Sequence, residues 1–288
     1  MRNSIPLLFS AVFLLLSGCS IAYNGERLFW KATQLAAPIE RDSSHATPDQ
    51  FTNAINAFGA VIRNTPGTVW AARAQLAIGS LYAIEKQYPQ AREAYGLVLR
   101  NYSDQKPLCL TARVAMAKTH ELEQHWDEAV NVYREISEFH PWSRVGLEAP
   151  LYIAHRYEQL EKAQQAADAY RAAVSSYTTL IAQAPSPTLG LQAKGYLALA
   201  YQRLGEWSQE IHVLEELVEV PSGTNRPLAL LTLGAIYQAK LGDKEKAEAA
   251  YTKLVKEFPE HPLGKVAKIR LEHLGISLSP VPPPSVPK

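Results

Sequence analysis

Apolar positions recur along most of this chain at helical spacing, three and four residues apart, with polar residues between them. Inside that pattern a second regularity repeats. Tyr82 is followed nine residues later by Ala91 and then by Tyr95, and Tyr157, Ala166 and Tyr170 repeat the interval. His120, Ala129 and Tyr133 keep it, while Tyr237, Ala247 and Tyr251 miss it by one. Gly205-Glu206-Trp207 and Gly242-Asp243-Lys244 read as tight turns between paired helices. Pro66, Pro141, Pro185, Pro221 and Pro259 fall where a second helix must stop, because proline has no N–H to continue the ladder. Self-similarity at a period of roughly 34–40 residues predicts an array of stacked helical hairpins.

The repeated slots have a packing logic. Alanine and glycine let the two helices of a hairpin approach closely, and the aromatics fill the space between neighbouring hairpins. The second-helix anchors are Ala54, Ala91, Ala129, Ala166, Glu210 and Ala247, at intervals of 37, 38, 37, 44 and 37 residues. Two copies depart from the rule. The second helix of the repeat at Ala166 runs on to about Ala184. In the next repeat Glu210 stands where alanine is expected and Leu214 where the aromatic is expected. Upstream, Ala54, Phe58, Val61 and Pro66 match a second helix whose first-helix partner the pattern does not supply.

These slots resemble the tetratricopeptide repeat. Gly79, Tyr82, Ala91, Tyr95 and Val98 fit one copy, with Ser103 where proline is usual. Ala117, His120, Ala129, Tyr133, Ile136 and Pro141 fit a second, with histidine in the aromatic slot. Ala154, Tyr157, Ala166, Tyr170 and Ala173 fit a third; Ala198 and Tyr201 a fourth; Gly234, Tyr237, Ala247, Tyr251, Leu254 and Pro259 a fifth. The resemblance implies an all-α fold, a right-handed α-solenoid of about five to six TPR-like hairpins over residues 47–275. The endings Phe258-Pro259-Glu260-His261-Pro262-Leu263-Gly264 and Phe139-His140-Pro141-Trp142-Ser143 are similar in style to periplasmic tetratricopeptide lipoproteins of the BamD-like family.

The N-terminus is of another kind. After Arg2, Ile5 to Leu16 is an apolar run too short to span a bilayer comfortably, as in a signal-peptide core. It ends in Leu16-Ser17-Gly18-Cys19, which resembles a bacterial lipobox. That resemblance implies a signal peptide over 1–18 and a covalent diacylglycerol and N-acyl lipid on Cys19. With Ser20 rather than aspartate next, it implies the periplasmic face of an outer membrane. Residues 19–46 read as a lipid-anchored tether with a short helix at Glu26 to Ala36, in which Phe29 and Trp30 either cap the first repeat or touch the membrane interface. Residues 276–288 carry Pro280, Pro282, Pro283, Pro284 and Pro287 and read as a disordered, polyproline-like tail.

Composition narrows the function classes. The 288 residues carry a net charge of +1 and are 47% hydrophobic, so a large core is expected without the basic footprint of a nucleic-acid binder. The lone downstream thiol, Cys109, forms no intramolecular disulfide after Cys19 is acylated and reads as core packing. His120-Glu121-Leu122-Glu123-Gln124-His125 departs from a helical zinc motif, because its histidines are five apart rather than four and His120 occupies a packing slot. No phosphate loop and no Gly-x-Ser-x-Gly elbow are present. The expectation is a non-enzymatic scaffold with no cofactor, no metal and no evident small-molecule substrate, whose partners are envelope proteins or peptides.

Carrying the family's groove register onto this chain implies a partner-binding lining of Arg73, Ser80, Lys118, Glu121, His155, Glu158, Gln202, Arg203 and Gln238. These are first-helix residues of mixed charge, suited to an extended peptide or a helix. Assembly of an outer-membrane or secretion complex is the reading this implies. Coordination of peptidoglycan synthesis or division is the alternative, and a groove-based enzyme a further one.

Overall fold

A computed structural model describes residues 5–220, 223 and 225–276, with side chains from Tyr23 onward. Among these residues all regular structure is helical. The helices gather into two compact units, one ending at His140 and the other beginning at Pro141. No described helix is long and apolar enough to cross a membrane.

The first unit contains α1 (Ile5–Arg41), α2 (Pro48–Asn64), α3 (Val69–Ile84), α4 (Tyr88–Asn101), α5 (Lys106–Leu122) and α6 (Trp126–Phe139). Consecutive helices pair as hairpins, and the first helices α1, α3 and α5 also stack on one another. Helix α1 contains the short helix expected at Glu26 to Ala36 and runs past it to Arg41. Ala32, Ala36 and Ile39 recur at helical spacing on one face and are fully buried with Phe51, Ala54, Phe58 and Val61. That burial makes the end of α1 the missing first helix of the first hairpin. Phe29 lies 5.5 Å from both Phe58 and Trp70, so it caps the hairpin, while Trp30 is exposed. The side chains of the proposed signal segment and of Cys19, and the tail beyond Ile276, lie outside the described residues.

The second unit contains α7 (Arg144–Gln159), α8 (Ala163–Ala182), α9 (Pro187–Leu204), α10 (Trp207–Val218), α11 (Arg226–Ile236), α12 (Lys244–Glu257) and a closing helix α13 (Pro262–His273). Ser143, Ser186 and Asp243 cap the N-termini of α7, α9 and α12 through side-chain oxygens, each cap contributing about 1 kcal/mol. Here the first helices α7 and α9 pack together, as do α11 and α13. Helices α9 and α11 do not: their backbones scarcely approach, and α10 bridges them from behind.

One turn closes four of the hairpins. A residue in the left-handed region follows the first helix: Lys86, Gln124, Glu161 or Gly205, with φ between 58° and 72°. The next N–H then bonds back five residues, as in Gln87 to Tyr82 (2.8 Å), His125 to His120 (2.9 Å), Lys162 to Tyr157 (2.9 Å) and Glu206 to Tyr201 (3.0 Å). The α11–α12 hairpin carries the one extra residue seen in its spacing. A π-turn over Tyr237–Leu241 absorbs it, and the return bond runs from Asp243 to Tyr237 across six residues at 2.8 Å. The four turns and the π-turn bring each anchor to the same place, the fourth residue of its second helix. Ala91, Ala129, Ala166, Glu210 and Ala247 are all at most 4% exposed there.

Candidate functional site

The second-helix tyrosines do more than fill space. In α3–α4 a methyl group added at Gly79 would lie 2.4 Å from the Tyr95 ring, and in α11–α12 one added at Gly234 would lie 2.3 Å from Tyr251. Glycine is therefore required where these rings press on the first helix. The ring hydroxyls then donate to first-helix side chains: Tyr95 to Ser80 (3.5 Å), Tyr133 to Glu121 (3.1 Å) and Tyr251 to Gln238 (3.0 Å). Burial and the Glu158 carboxylate push the Tyr170 hydroxyl up to about 12.

Several residues of the groove lining expected from sequence take part in these bonds. Ser80, Glu121, Glu158 and Gln238 are each engaged by a tyrosine of their own hairpin. Glu158 also faces His155 at 3.1 Å and Arg203 at 3.9 Å. Arg73 lies over the Trp70 ring at 4.8 Å, and Lys118 is exposed. Four of the nine expected residues bond to a tyrosine of their own hairpin, and of the nine Gln202 lines the cavity between α7, α9 and α11.

That cavity, about 730 Å³, opens on the first-helix face of the second unit between α7, α9 and α11. It lies where α9 and α11 stand apart, and the α9–α10 hairpin that lines it lacks the ring found in the other hairpins. Leu214 takes the tyrosine slot, and Glu210, 1% exposed, takes the alanine slot. Glu210 Oε1 accepts a bond from Gln202 Nε2 at 3.2 Å, and Oε2 has no protein partner. Burial pushes this carboxyl up to about 7, against the partial relief of the Gln202 amide. The mouth carries Leu199 and Leu228, 46% and 56% exposed. One wall is Tyr196, which stacks on Tyr177 at 5.8 Å. Tyr177 belongs to the long end of α8 and donates to the Leu147 carbonyl at 2.6 Å, so the extra length of α8 supports the pocket. Sequence had marked Glu210 as a mismatch. It gave no sign that Leu199, Leu228 and Tyr196 converge with it, since α7, α9 and α11 meet there only through tertiary packing.

The histidine pair is closer than its spacing suggested. The turn at Gln124 makes the residue five along a neighbour, and His120, Glu123 and His125 bring donor atoms within 4.8 Å of one another. The guanidinium of Arg92 already pairs with Glu123, and desolvation followed by Arg92 holds His120 below its ordinary value. A cation therefore already neutralises the one anionic donor of this trio. Cys109 is buried, its thiol donates to the Tyr102 carbonyl at 3.3 Å, and burial pushes it up, as core packing requires.

Residues 228–261, which span most of α11, the π-turn, α12 and the turn after it, match a model of the tetratricopeptide repeat. No curated protein matches the chain. Among solved structures the fold is similar to the C-terminal part of a TPR repeat-containing protein from Cytophaga hutchinsonii, at 14% identity and TM-score 0.49, covering 86% of this chain and 98% of that one. It is also similar to YrrB, described as a TPR protein with an unusual peptide-binding site, at 16% identity and TM-score 0.42, covering 75% and 99%. A third is PilW, described as a widely conserved type IV pilus biogenesis factor, at 16% identity and TM-score 0.40, covering 83% and 97%.

Proposed function

We infer that this chain is a non-enzymatic scaffold, tethered to the cell envelope through a lipid on Cys19, that holds segments of other proteins in the α7–α9–α11 groove. The observation that carries the groove reading is the cavity itself: exposed leucines at its mouth, a buried carboxylate at its floor, and α9 and α11 standing apart around it. Protein clefts of this size are the usual place for a ligand, being mostly apolar with a few convergent polar groups. The tetratricopeptide match over residues 228–261 supports protein binding as the class of activity. The lipobox-like Leu16-Ser17-Gly18-Cys19 supports the envelope as the place, with two or more acyl chains needed for firm anchoring. The clients are envelope proteins, in assembly of a membrane or secretion complex.

Photo-crosslinkers placed at Leu228 and Gln202 in cells test the groove, with exposed Glu248 on α12 as the control position. The reading expects one shared adduct from the two groove positions and none from Glu248; no adduct from either groove position overturns it. Cys19→Ala tests the anchor separately. The variant is expected in the soluble fraction, and its retention in membranes contradicts a lipid anchor.

A further inference from the structure

The floor of the cavity is chemically specific, and this inference rests on the groove reading above. Of the side chains lining the pocket, three carry formal charge: Arg144, Glu148 and Glu210. Arg144 is paired with Glu148 through Nε–Oε1 at 2.9 Å, which leaves Glu210 as the uncompensated charge. A carboxylate 1% exposed, with one oxygen bonded to Gln202 and the other without a partner, is costly in an empty apolar site. A cation brought in by a ligand removes that cost. We propose that the α7–α9–α11 groove binds a peptide segment that inserts a lysine side chain between Leu199 and Leu228 to place its ammonium on Glu210.

The choice of lysine follows from the acceptors. A guanidinium prefers a carboxylate that offers both oxygens to its two-pronged fork. Glu210 offers only Oε2, because Oε1 is held by the Gln202 amide. One free oxygen suits the compact ammonium. The leucines at the mouth and Leu214 and Leu217 deeper in suit the four-carbon stem, which packs on apolar surface while its head finds charge. The choice of a peptide follows from the length of the groove, which spans three first helices and has exposed apolar positions on two of them. Flanking apolar residues of the segment cover those positions.

Selection of random dodecapeptides displayed on phage against the full mature protein is the test. Wild type is expected to enrich peptides with a lysine flanked by apolar residues. Replacing that lysine by norleucine in a selected peptide weakens binding about ten- to hundredfold, the range for losing one charge-assisted bond. The same replacement is expected to change nothing against Glu210→Gln, which keeps the side-chain shape. Enrichment of peptides without lysine, an equal loss against Glu210→Gln, or no enrichment at all overturns the proposal. So does displacement of the peptide by n-butylammonium at equal concentration, which assigns the site to free amines. Because the norleucine comparison leaves the protein unaltered, it stands even where a variant folds poorly. A Leu199→Glu, Leu228→Glu double variant separates the two levels. Loss of all selected peptides while the lysine preference is absent leaves the groove intact and removes only the lysine; undiminished binding removes the groove itself.

Discussion

Two adjacent hairpins of the second unit share one plan and close in opposite ways. In α11–α12, Tyr251 lies against Gly234, donates its hydroxyl to Gln238, and Ala247 sits fully buried beside it. In α9–α10 the corresponding residues are Leu214, Ala198, Gln202 and Glu210. The same glutamine position serves both hairpins, accepting from a tyrosine in one and donating to a carboxylate in the other. A ring with a hydroxyl fills the gap and satisfies the first helix. A leucine replaces the ring, and a buried acid lies at the cavity's lining. The first hairpin is closed by its ring; the second holds a buried acid with one unpaired oxygen beside an open cavity.

The largest test of this contrast is on the closed side. Tyr251→Ala removes a fully buried ring and its bond to Gln238; urea denaturation is expected to show a loss of about 3–5 kcal/mol. On the open side the effect is tied to pH. The Glu210 carboxyl rises from its ordinary 4.5 to about 7 on folding, so the folded chain binds the extra proton between those values. Its contribution to stability is full below about pH 4.5 and is lost as pH rises through 7, by at most about 3 kcal/mol. Glu210→Gln is expected to match wild type in thermal midpoint near pH 4 and to exceed it at pH 8. Equal midpoints at both pH values refute the buried, unpaired acid.

Smaller effects sharpen the comparison. Gly234→Ala forces a methyl group into the Tyr251 ring and is expected to cost about 1–3 kcal/mol by overpacking. Gly195→Ala, in the open hairpin, meets only the end of the Asn225 side chain at 3.1 Å, and calorimetry is expected to find it nearly neutral. Cys109 gives the smallest signal. Its buried thiol is expected to resist a thiol reagent until denaturant is added.

The hairpin plan was legible because it is local. Spacing alone located the anchors at Ala91, Ala129, Ala166, Glu210 and Ala247, and the single extra residue after Tyr237 reappears as a π-turn. The helix at Glu26 to Ala36 was legible, but its pairing with α2 was not, because its buried face, Ala32, Ala36 and Ile39, extends past that span and follows an apolar run read as a signal. The groove was half legible. Family register pointed to Glu121, Glu158 and Gln238, whose hydrogen bonds go to tyrosines that the sequence lists only as packing residues. Leu199, Leu228 and Tyr196 were missed because an exposed leucine on a helix is unremarkable until its neighbours from other helices are known. His120 and His125 were read through helical spacing, and the left-handed turn at Gln124 changes which residues are neighbours.

The most direct test is to close the open hairpin on the plan of its neighbour. The triple variant Ala198→Gly, Glu210→Ala, Leu214→Tyr supplies the glycine, alanine and tyrosine of α11–α12, so the new ring does not meet an Ala198 methyl group. Its affinity for a peptide selected by wild type, measured by calorimetry beside its thermal midpoint at pH 8, decides the matter. A higher midpoint with peptide binding abolished is the predicted result. A folded triple variant that binds the peptide as tightly as wild type contradicts the account.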